Sequence, residues 1–503
     1  MIILDGWGLG PATEANPVYI VNPEKFNWLA ENYPMTSLQA SGISVGLPWG
    51  DVGNSEVGHL TLGAGKIIYQ YFPRITMAIQ DETFFSNPAL VSAMEHAEKN
   101  KTAVNLVGLL TKATVHASLD HLLALIELAK KKQIPFKLHL FADGKDGPPH
   151  SLEELLEKIP MENLATLTGR YYAMDRTKKW MLTGRAYECL VGEGGNLVHD
   201  LGATIRETYA KGFTEEFIPP LRLKPDGAIK DNESLIFFNF REDSMRQLVE
   251  AFAGDLPQLL RKRIANLKLV TMTRYEESLN LDVAFPPEGV LEPLGKVLSD
   301  AGKTQLRLAE TYKYAHVTFF FNGHRESPFK NEYRVLIPSL AIPHPDERPE
   351  LMAAAVSDRI IDSVQNNAFD FVLANYSNPD TIAHTGNYEA ALEAVKVIDR
   401  EIGRVLDAVL KTDTVLIITS DHGNIETLFD PLSGRAETGH NPSPVPFYLI
   451  GREFKGRRFV NWPNLAQETG GLLADVAPTI LELMGIPKPE DMNGRSLLKE
   501  LMH

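Results

Sequence analysis

Asp380 and His384 lie four residues apart, a spacing that projects both side chains from one helix face if the chain turns helical after Pro379. Asp421 and His422 are adjacent and precede Gly423, so they can serve one site only from a loop. His440 stands in Gly439-His440-Asn441-Pro442-Ser443-Pro444, where the prolines favour an ordered loop. Carboxylate and imidazole donors without thiolate suit Mn²⁺, Zn²⁺ or Mg²⁺, and three imidazoles favour manganese or zinc. An Asp-x-x-x-His alone recurs by chance, and an aspartate at a helix N-cap accounts for half of an Asp-His-Gly. It is the combination that points to a metal centre.

A second chemical signal is Gly53-Asn54-Ser55-Glu56-Val57-Gly58-His59. Glycines on either side of a serine permit a tight strand-to-helix turn and a close backbone approach. A serine hydroxyl becomes a nucleophile only when a base or a metal takes its proton, and a two-metal site would hold a phosphoryl group for in-line attack. The stretch reads equally well as a glycine-rich turn with Ser55 as the N-cap of a helix.

The elements that must position these residues follow one grammar. Short apolar runs at 2–4, 369–376 and 414–419 end at or just before Asp5, Asp380 and Asp421, and read as buried strands that stop in loops. Helical spacing marks 350–366, 387–411 and 472–484. Strands followed by turns and helices predict parallel sheets with crossover helices, whose ligands gather at the carboxyl ends of the strands. The middle of the chain repeats the rhythm, with strands at 103–110, 136–142, 163–168 and 234–240 and helices at 117–132 and 151–158. Aspartates and histidines cluster towards both ends of the sequence and cationic strand ends between them. This predicts one domain inserted into another, with crossings near 70 and 288.

Composition sets outer limits. The 503 residues are 44% hydrophobic and 23% charged, which excludes a wholly disordered chain or a disulfide-stapled miniprotein. The net charge of −15 repels nucleic acid and anionic lipid, so an anionic substrate requires positive charge gathered in a pocket. Cys189 is the only cysteine, so there is neither an internal disulfide nor a thiolate cluster. The opening residues carry no basic stretch or long apolar run, and the longest apolar stretches fall short of the ~20 residues of a membrane span. The expectation is a cytoplasmic protein. The basic runs Lys130–Lys132 and Arg261–Arg263 read as solvated helix faces.

Asp5-Gly6-Trp7-Gly8, the Ser55 stretch, 61–65 (TLGAG), 169–176 (GRYYAMDR), 236–241 (IFFNFR), 313–318 (KYAHVT), 378–386 (NPDTIAHTG) and 421–424 (DHGN) together resemble the cofactor-independent phosphoglycerate mutases of the alkaline phosphatase superfamily. The resemblance implies an α/β protein. An alkaline-phosphatase-like metal-binding domain with a central, mostly parallel sheet would comprise 1–69 and 289–503, with an inserted α/β phosphotransferase domain at 70–288. It implies two divalent ions, Mn²⁺ with Zn²⁺ or Mg²⁺ as alternatives, and no need for 2,3-bisphosphoglycerate. One ion would fall to Asp380, His384 and His440, the other to Asp5, Ser55, Asp421 and His422.

By the same resemblance Ser55 carries the phosphoryl group transiently. Lys313 and the metals offset its charge, Asp146 shuttles protons, and His116, Lys145, Asp146, Arg170, Arg176, Arg241 and Lys313 bind substrate. The implied reaction interconverts 3-phosphoglycerate and 2-phosphoglycerate in a monomer with no nucleic-acid or membrane partner, and the two domains close over the substrate. The alternative is a phosphomonoesterase or phosphomutase of the same superfamily acting on another acid or sugar phosphate. Four departures bear on the acid: Lys145 and Ser244 stand where the family has arginines, Tyr312 where it has glutamate, and 111–118 (TKATVHAS) replaces an acidic, glycine-containing stretch. Lys112 is expected to restore part of the charge missing at Ser244.

Overall fold

A computed structural model describes residues 1–254, 262–456 and 469–502. The chain divides into two compact units, residues 1–70 with 288–503, and residues 71–287. Each is built around an eight-stranded, mostly parallel sheet.

In the first unit the strands run in the order Glu332–Ile337, Gln305–Glu310, Phe371–Tyr376, Ile2–Leu4, Leu416–Thr419, Val445–Ile450, Met35–Gln39 and Gly471–Leu472. The first five are mutually parallel. Val445–Ile450 runs antiparallel to both of its neighbours. Ile2–Leu4 is buried throughout, as expected of a short apolar strand between two parallel partners. The helix Tyr388–Val409 buries Ala391, Ala394, Val395, Ile398, Ile402 and Val405 at steps of three and four, and packs on helix Ala353–Gln365. Asn387 caps it, its side chain accepting from the Ala390 N–H at 3.2 Å.

In the second unit the order is Asp282–Val283, Lys268–Thr271, Ser234–Phe237, Val104–Leu110, Phe136–Ala142, Leu164–Gly169, Leu221–Arg222 and Asn196–Leu197. All neighbours are parallel except Leu164–Gly169 with Leu221–Arg222. Val104–Leu110 is buried along its whole length. Its helix Leu119–Lys131 starts on Ser118, whose hydroxyl accepts from the Asp120 N–H at 3.2 Å.

Three expectations shift. The strand read at 234–240 pairs only over Ser234–Phe237, because beyond it the Asn239 side-chain oxygen takes the Leu109 N–H at 2.9 Å. Lys130–Lys132 are exposed at a helix end, but Lys262 and Arg263 lie outside any helix, and Arg261 lies outside the described residues. The helix after Asn54 is capped by the Asn54 side chain, which accepts from the Val57 N–H at 3.0 Å, so Ser55 is its first residue and not its cap.

Candidate active site

In the first unit, sheet order places four strand ends side by side: Gln305–Glu310 leads to Lys313, Phe371–Tyr376 to Asp380, Ile2–Leu4 to Asp5, and Leu416–Thr419 to Asp421 and His422. Ser55, at the start of helix Ser55–Ala64, meets them. Its Oγ donates to Asp5 Oδ1 at 3.0 Å, lies 2.9 Å from His422 Nε2, and accepts from Lys313 Nζ at 2.8 Å. Lys313 Nζ also reaches Asp5 Oδ1 and Asp380 Oδ2, both at 2.6 Å.

Two glycines make this approach possible. A Cβ on Gly58 would stand 2.5 Å from the Asp421 carbonyl oxygen, so only glycine lets the Ser55 helix lie on that loop. Gly6 adopts φ +70° with Asp380 Cβ only 2.8 Å from where its own Cβ would be.

Burial alone would raise the Asp5 carboxyl, but Lys313 and His422 override it and hold the group below the usual carboxylate range. Asp380 follows the same logic, with burial outweighed by hydrogen bonds from His384 and His440 and by Lys313. Burial disfavours an imidazolium at His422, yet Asp421, Asp5 and Asp380 push it up to about 9. The Lys313 ammonium is likewise raised by Asp5 and Asp380 against its burial.

The donor atoms suit divalent cations. His384, His422 and His440 each direct Nδ1 at a backbone carbonyl, of Thr438 at 2.7 Å, Gly423 at 3.3 Å and Gly53 at 2.8 Å. Once the rings are neutral, as metal ligation requires, Nε2 of each is a bare lone pair. His384 Nε2 and His440 Nε2 face one another at 3.1 Å, and Asp380 Oδ1 lies 3.2 and 3.3 Å from them. Three electron-pair donors converging without a hydrogen between them is the arrangement a cation resolves. Asp421 Oδ2 is fully buried and has no hydrogen-bond partner among the described residues. It lies 3.6 Å from His422 Nε2, which is 3.5 Å from Asp5 Oδ1.

His59 and Asn375 belong to this centre but drew no role from the sequence. His59 donates Nδ1–H to the Ser55 carbonyl at 2.8 Å and accepts at Nε2 from Asn375 Nδ2 at 3.0 Å. Asn375 also donates to Asp5 Oδ2 at 2.8 Å. Asp5, His59 and Asp421 form a third cluster of donors lying within 4.8 Å of one another. The helical spacing of Ser55 and His59 was the available signal.

The second unit uses the same device. Its neighbouring strands Ser234–Phe237, Val104–Leu110, Phe136–Ala142 and Leu164–Gly169 lead to Arg241, His116, Asp146 and Arg170. These four, with Lys145, Arg176 and Ser244, line one cavity of about 320 Å³. Arg170 donates from one guanidinium nitrogen to Asp143 Oδ1 at 2.6 Å and Asp146 Oδ2 at 2.5 Å. Arg176 and Arg241 approach Asp243 Oδ2 at 2.6 and 3.3 Å. Burial, then the nearby Arg170, push His116 down to about 4, so its ring is neutral near pH 7.

Of the residues expected to bind substrate, Lys313 lies not in this cavity but on Ser55, because strand Gln305–Glu310 belongs to the other sheet. One sequence expectation fails here: Lys112 does not restore charge beside Ser244. It pairs on the surface with Glu154 at 2.6 Å and does not line the cavity.

Residues 1–488 match the Metalloenzyme superfamily. The chain is 42% identical to the 2,3-bisphosphoglycerate-independent phosphoglycerate mutase of Clostridium perfringens strain SM101, covering 99% of each chain. It is 43% identical to the protein of that name from Thermomicrobium roseum, covering 99% of this chain and 97% of that one. A crystal structure of phosphoglycerate mutase from Leishmania mexicana at low cobalt concentration superposes with a TM-score of 0.53 at 26% identity, over 98% of this chain and 96% of that one.

Proposed function

The chain belongs to the 2,3-bisphosphoglycerate-independent phosphoglycerate mutases, and from this premise we propose a mechanism in which Ser55 carries the phosphoryl group between the two oxygens of glycerate. It is an isomerase that interconverts 3-phosphoglycerate and 2-phosphoglycerate. The observation that carries the mechanism is the Ser55 hydroxyl, buried and within 3.0 Å of Asp5, His422 and Lys313.

Asp380, His384 and His440 would hold one divalent ion, and Asp5, Ser55, Asp421 and His422 the other. Bound there, Mn²⁺ in our reading, the ions supply positive charge that acidifies the serine hydroxyl and balances the phosphoryl oxygens. The chain's own part begins with the Ser55 proton, which points at Asp5 Oδ1 and so leaves the lone pairs of Oγ facing away from that bond. The Lys313 ammonium lies 2.8 Å from Oγ and stabilises negative charge there and on the transferring group. In the first half-reaction the bond from phosphorus to the 3-oxygen breaks as the bond to Oγ forms and the Ser55 proton leaves towards Asp5 Oδ1, to return when Oγ is displaced. In the second, the 2-oxygen displaces Oγ. Asp146, hydrogen-bonded by Arg170, moves a proton from the 2-hydroxyl to the 3-oxygen of the glycerate.

The cations of the second unit would hold the acid while it turns, because planar guanidinium groups match carboxylate oxygens. We further propose that the protein works as a cytoplasmic monomer on free phosphoglycerate. Among the described residues, no helix is long and apolar enough to cross a membrane.

The test is a coupled assay on 3-phosphoglycerate with and without added 2,3-bisphosphoglycerate, scored also for free phosphate. A mutase of this kind forms 2-phosphoglycerate equally well in both and releases little phosphate. Steady phosphate release would make it a hydrolase. Acid-quenched enzyme digested for mass spectrometry should carry phosphate on Ser55, and a bare Ser55 peptide under turnover would rule out the covalent intermediate.

A further inference from the structure

Within the second unit's cavity, Ser244 and His116 form a cluster that the mechanism above does not use. Both are buried, at 3% and 5% exposure. Ser244 Oγ lies 3.0 Å from Asp243 Oδ1 and 3.0 Å from His116 Nδ1. His116 Nε2 faces Asp146 Oδ2 at 3.6 Å.

The hydrogen bonding can be settled by counting protons. Asp243 is ionised: burial would raise its carboxyl, but hydrogen bonds from Arg176 and Ser244 hold it below the usual range. A carboxylate only accepts, so the single Ser244 proton goes to Asp243 Oδ1. Ser244 Oγ can then only accept from the ring, so Nδ1 bears the hydrogen of the neutral imidazole. Nε2 is left as a bare lone pair lining the cavity. Opposite it, Asp146 Oδ2 is also an acceptor, already bound by Arg170 at 2.5 Å.

Two acceptors thus face each other across a gap with no hydrogen between them. What completes such a gap is a pair of O–H donors, one for each acceptor, brought in by the bound molecule. A self-contained polar cluster would instead place a hydrogen on Nε2 for Asp146. That would leave Nδ1 bare against Ser244 Oγ at 3.0 Å, although the one hydroxyl proton is already given to Asp243.

We propose that Ser244 fixes the tautomer of His116, so that Nε2 accepts a hydrogen bond from one hydroxyl of the bound hydroxy acid and orients its oxygen, leaving Asp146 to take the proton of the other. The proposal rests on the phosphoglycerate reading for the identity of that hydroxyl. His116 touches substrate. Ser244 does not, and acts as a positioning residue through the ring. A serine here selects for a hydroxylated acid by hydrogen bonding, whereas an arginine would add charge.

The tautomer can be read directly. In full-length, Zn²⁺-loaded enzyme labelled with ¹⁵N-histidine, two-bond proton–nitrogen correlation at neutral pH should show His116 protonated at Nδ1 and bare at Nε2. Loss of the signal in His116→Asn assigns it. Ser244→Ala should move the hydrogen to Nε2 and lower kcat by about 10- to 100-fold with KM changed less, and Ser244→Thr should restore both. A wild-type ring protonated at Nε2 would overturn the proposal, as would Ser244→Ala with tautomer and kcat unchanged. The wild-type spectrum needs no variant to fold. Wild-type enzyme with the expected tautomer but no turnover of 3-phosphoglycerate would sink the functional reading, and with it the named hydroxyl, while leaving the tautomer assignment standing.

Discussion

Both units deliver their functional side chains from the carboxyl ends of four neighbouring parallel strands, yet they finish the job differently. In the first, Asp5, Ser55, Asp421 and His422 are buried and the carboxylates of Asp5, Asp380 and Asp421 face the single ammonium of Lys313. In the second, Arg176 and Arg241 are 59% and 46% exposed and share the one carboxylate of Asp243. The first is a mostly buried centre rich in carboxylates, reached by solvent at His384 and His440. The second is a cavity lined by Arg170, Arg176 and Arg241, whose guanidinium groups each lean on an aspartate. Chemistry calls for rigid exclusion of water, and a grip on a turning substrate calls for replaceable partners.

The contrast can be broken from the first unit outward. Ser55→Ala should lower turnover by about 10⁴-fold or more while leaving the melting temperature nearly unchanged, because it removes one oxygen from a preformed site. Steady-state kinetics on 3-phosphoglycerate checks it, and residual activity near wild type would remove Ser55 from the reaction.

Chelation should come next. Stripping divalent ions leaves the converging lone pairs of Asp380, His384 and His440 opposed, so activity should vanish and the melting temperature fall by roughly 5–10 °C, both restored by Mn²⁺. Calorimetry with and without chelator decides. An unchanged melting temperature would mean the donors do not bind metal tightly.

On the second unit, Arg170→Lys should raise KM by about 10-fold or more, because Asp143 and Asp146 occupy one guanidinium nitrogen and an ammonium lacks the further N–H groups that line the cavity. An effect confined to kcat would place Arg170 in the chemistry instead.

The smallest effect is an acid lability of the second unit. Burial pushes His121 and His139 down to about 3. Unfolded histidine binds protons near ~6.5, so between that pH and about 3 the unfolded chain holds more protons than the folded one. Stability is therefore complete above ~6.5 and is lost as the pH falls, by roughly 1–2 kcal/mol per histidine at pH 5. Urea midpoints at pH 7.5 and 5.0 should show the loss, and His139→Gln should shrink it.

Much of this was legible in the chain. Apolar runs ending at Asp5, Asp380 and Asp421 marked strand ends, and the α/β class with mostly parallel sheets followed from their alternation with helices. Strand Gln305–Glu310 escaped such a reading because it buries Gln305, Arg307 and Glu310. Missing it hid the route by which Lys313 reaches Ser55, since sheet order is a property of long-range pairing. Asn375 lies inside the apolar run 369–376 and drew no role there, and only the neighbouring strand end shows that its amide holds Asp5. Lys112 was expected to follow the missing charge at Ser244, but its side chain finds Glu154 on the surface.

The three imidazoles of the first centre are oriented by main-chain carbonyls, whereas the imidazole of the cavity is oriented by a serine side chain. A carbonyl survives every substitution at its own position. Ring orientation in the first centre is therefore insulated from drift, while in the cavity one codon suffices to retune it. A lineage can then change which acid it prefers without disturbing the reaction it performs.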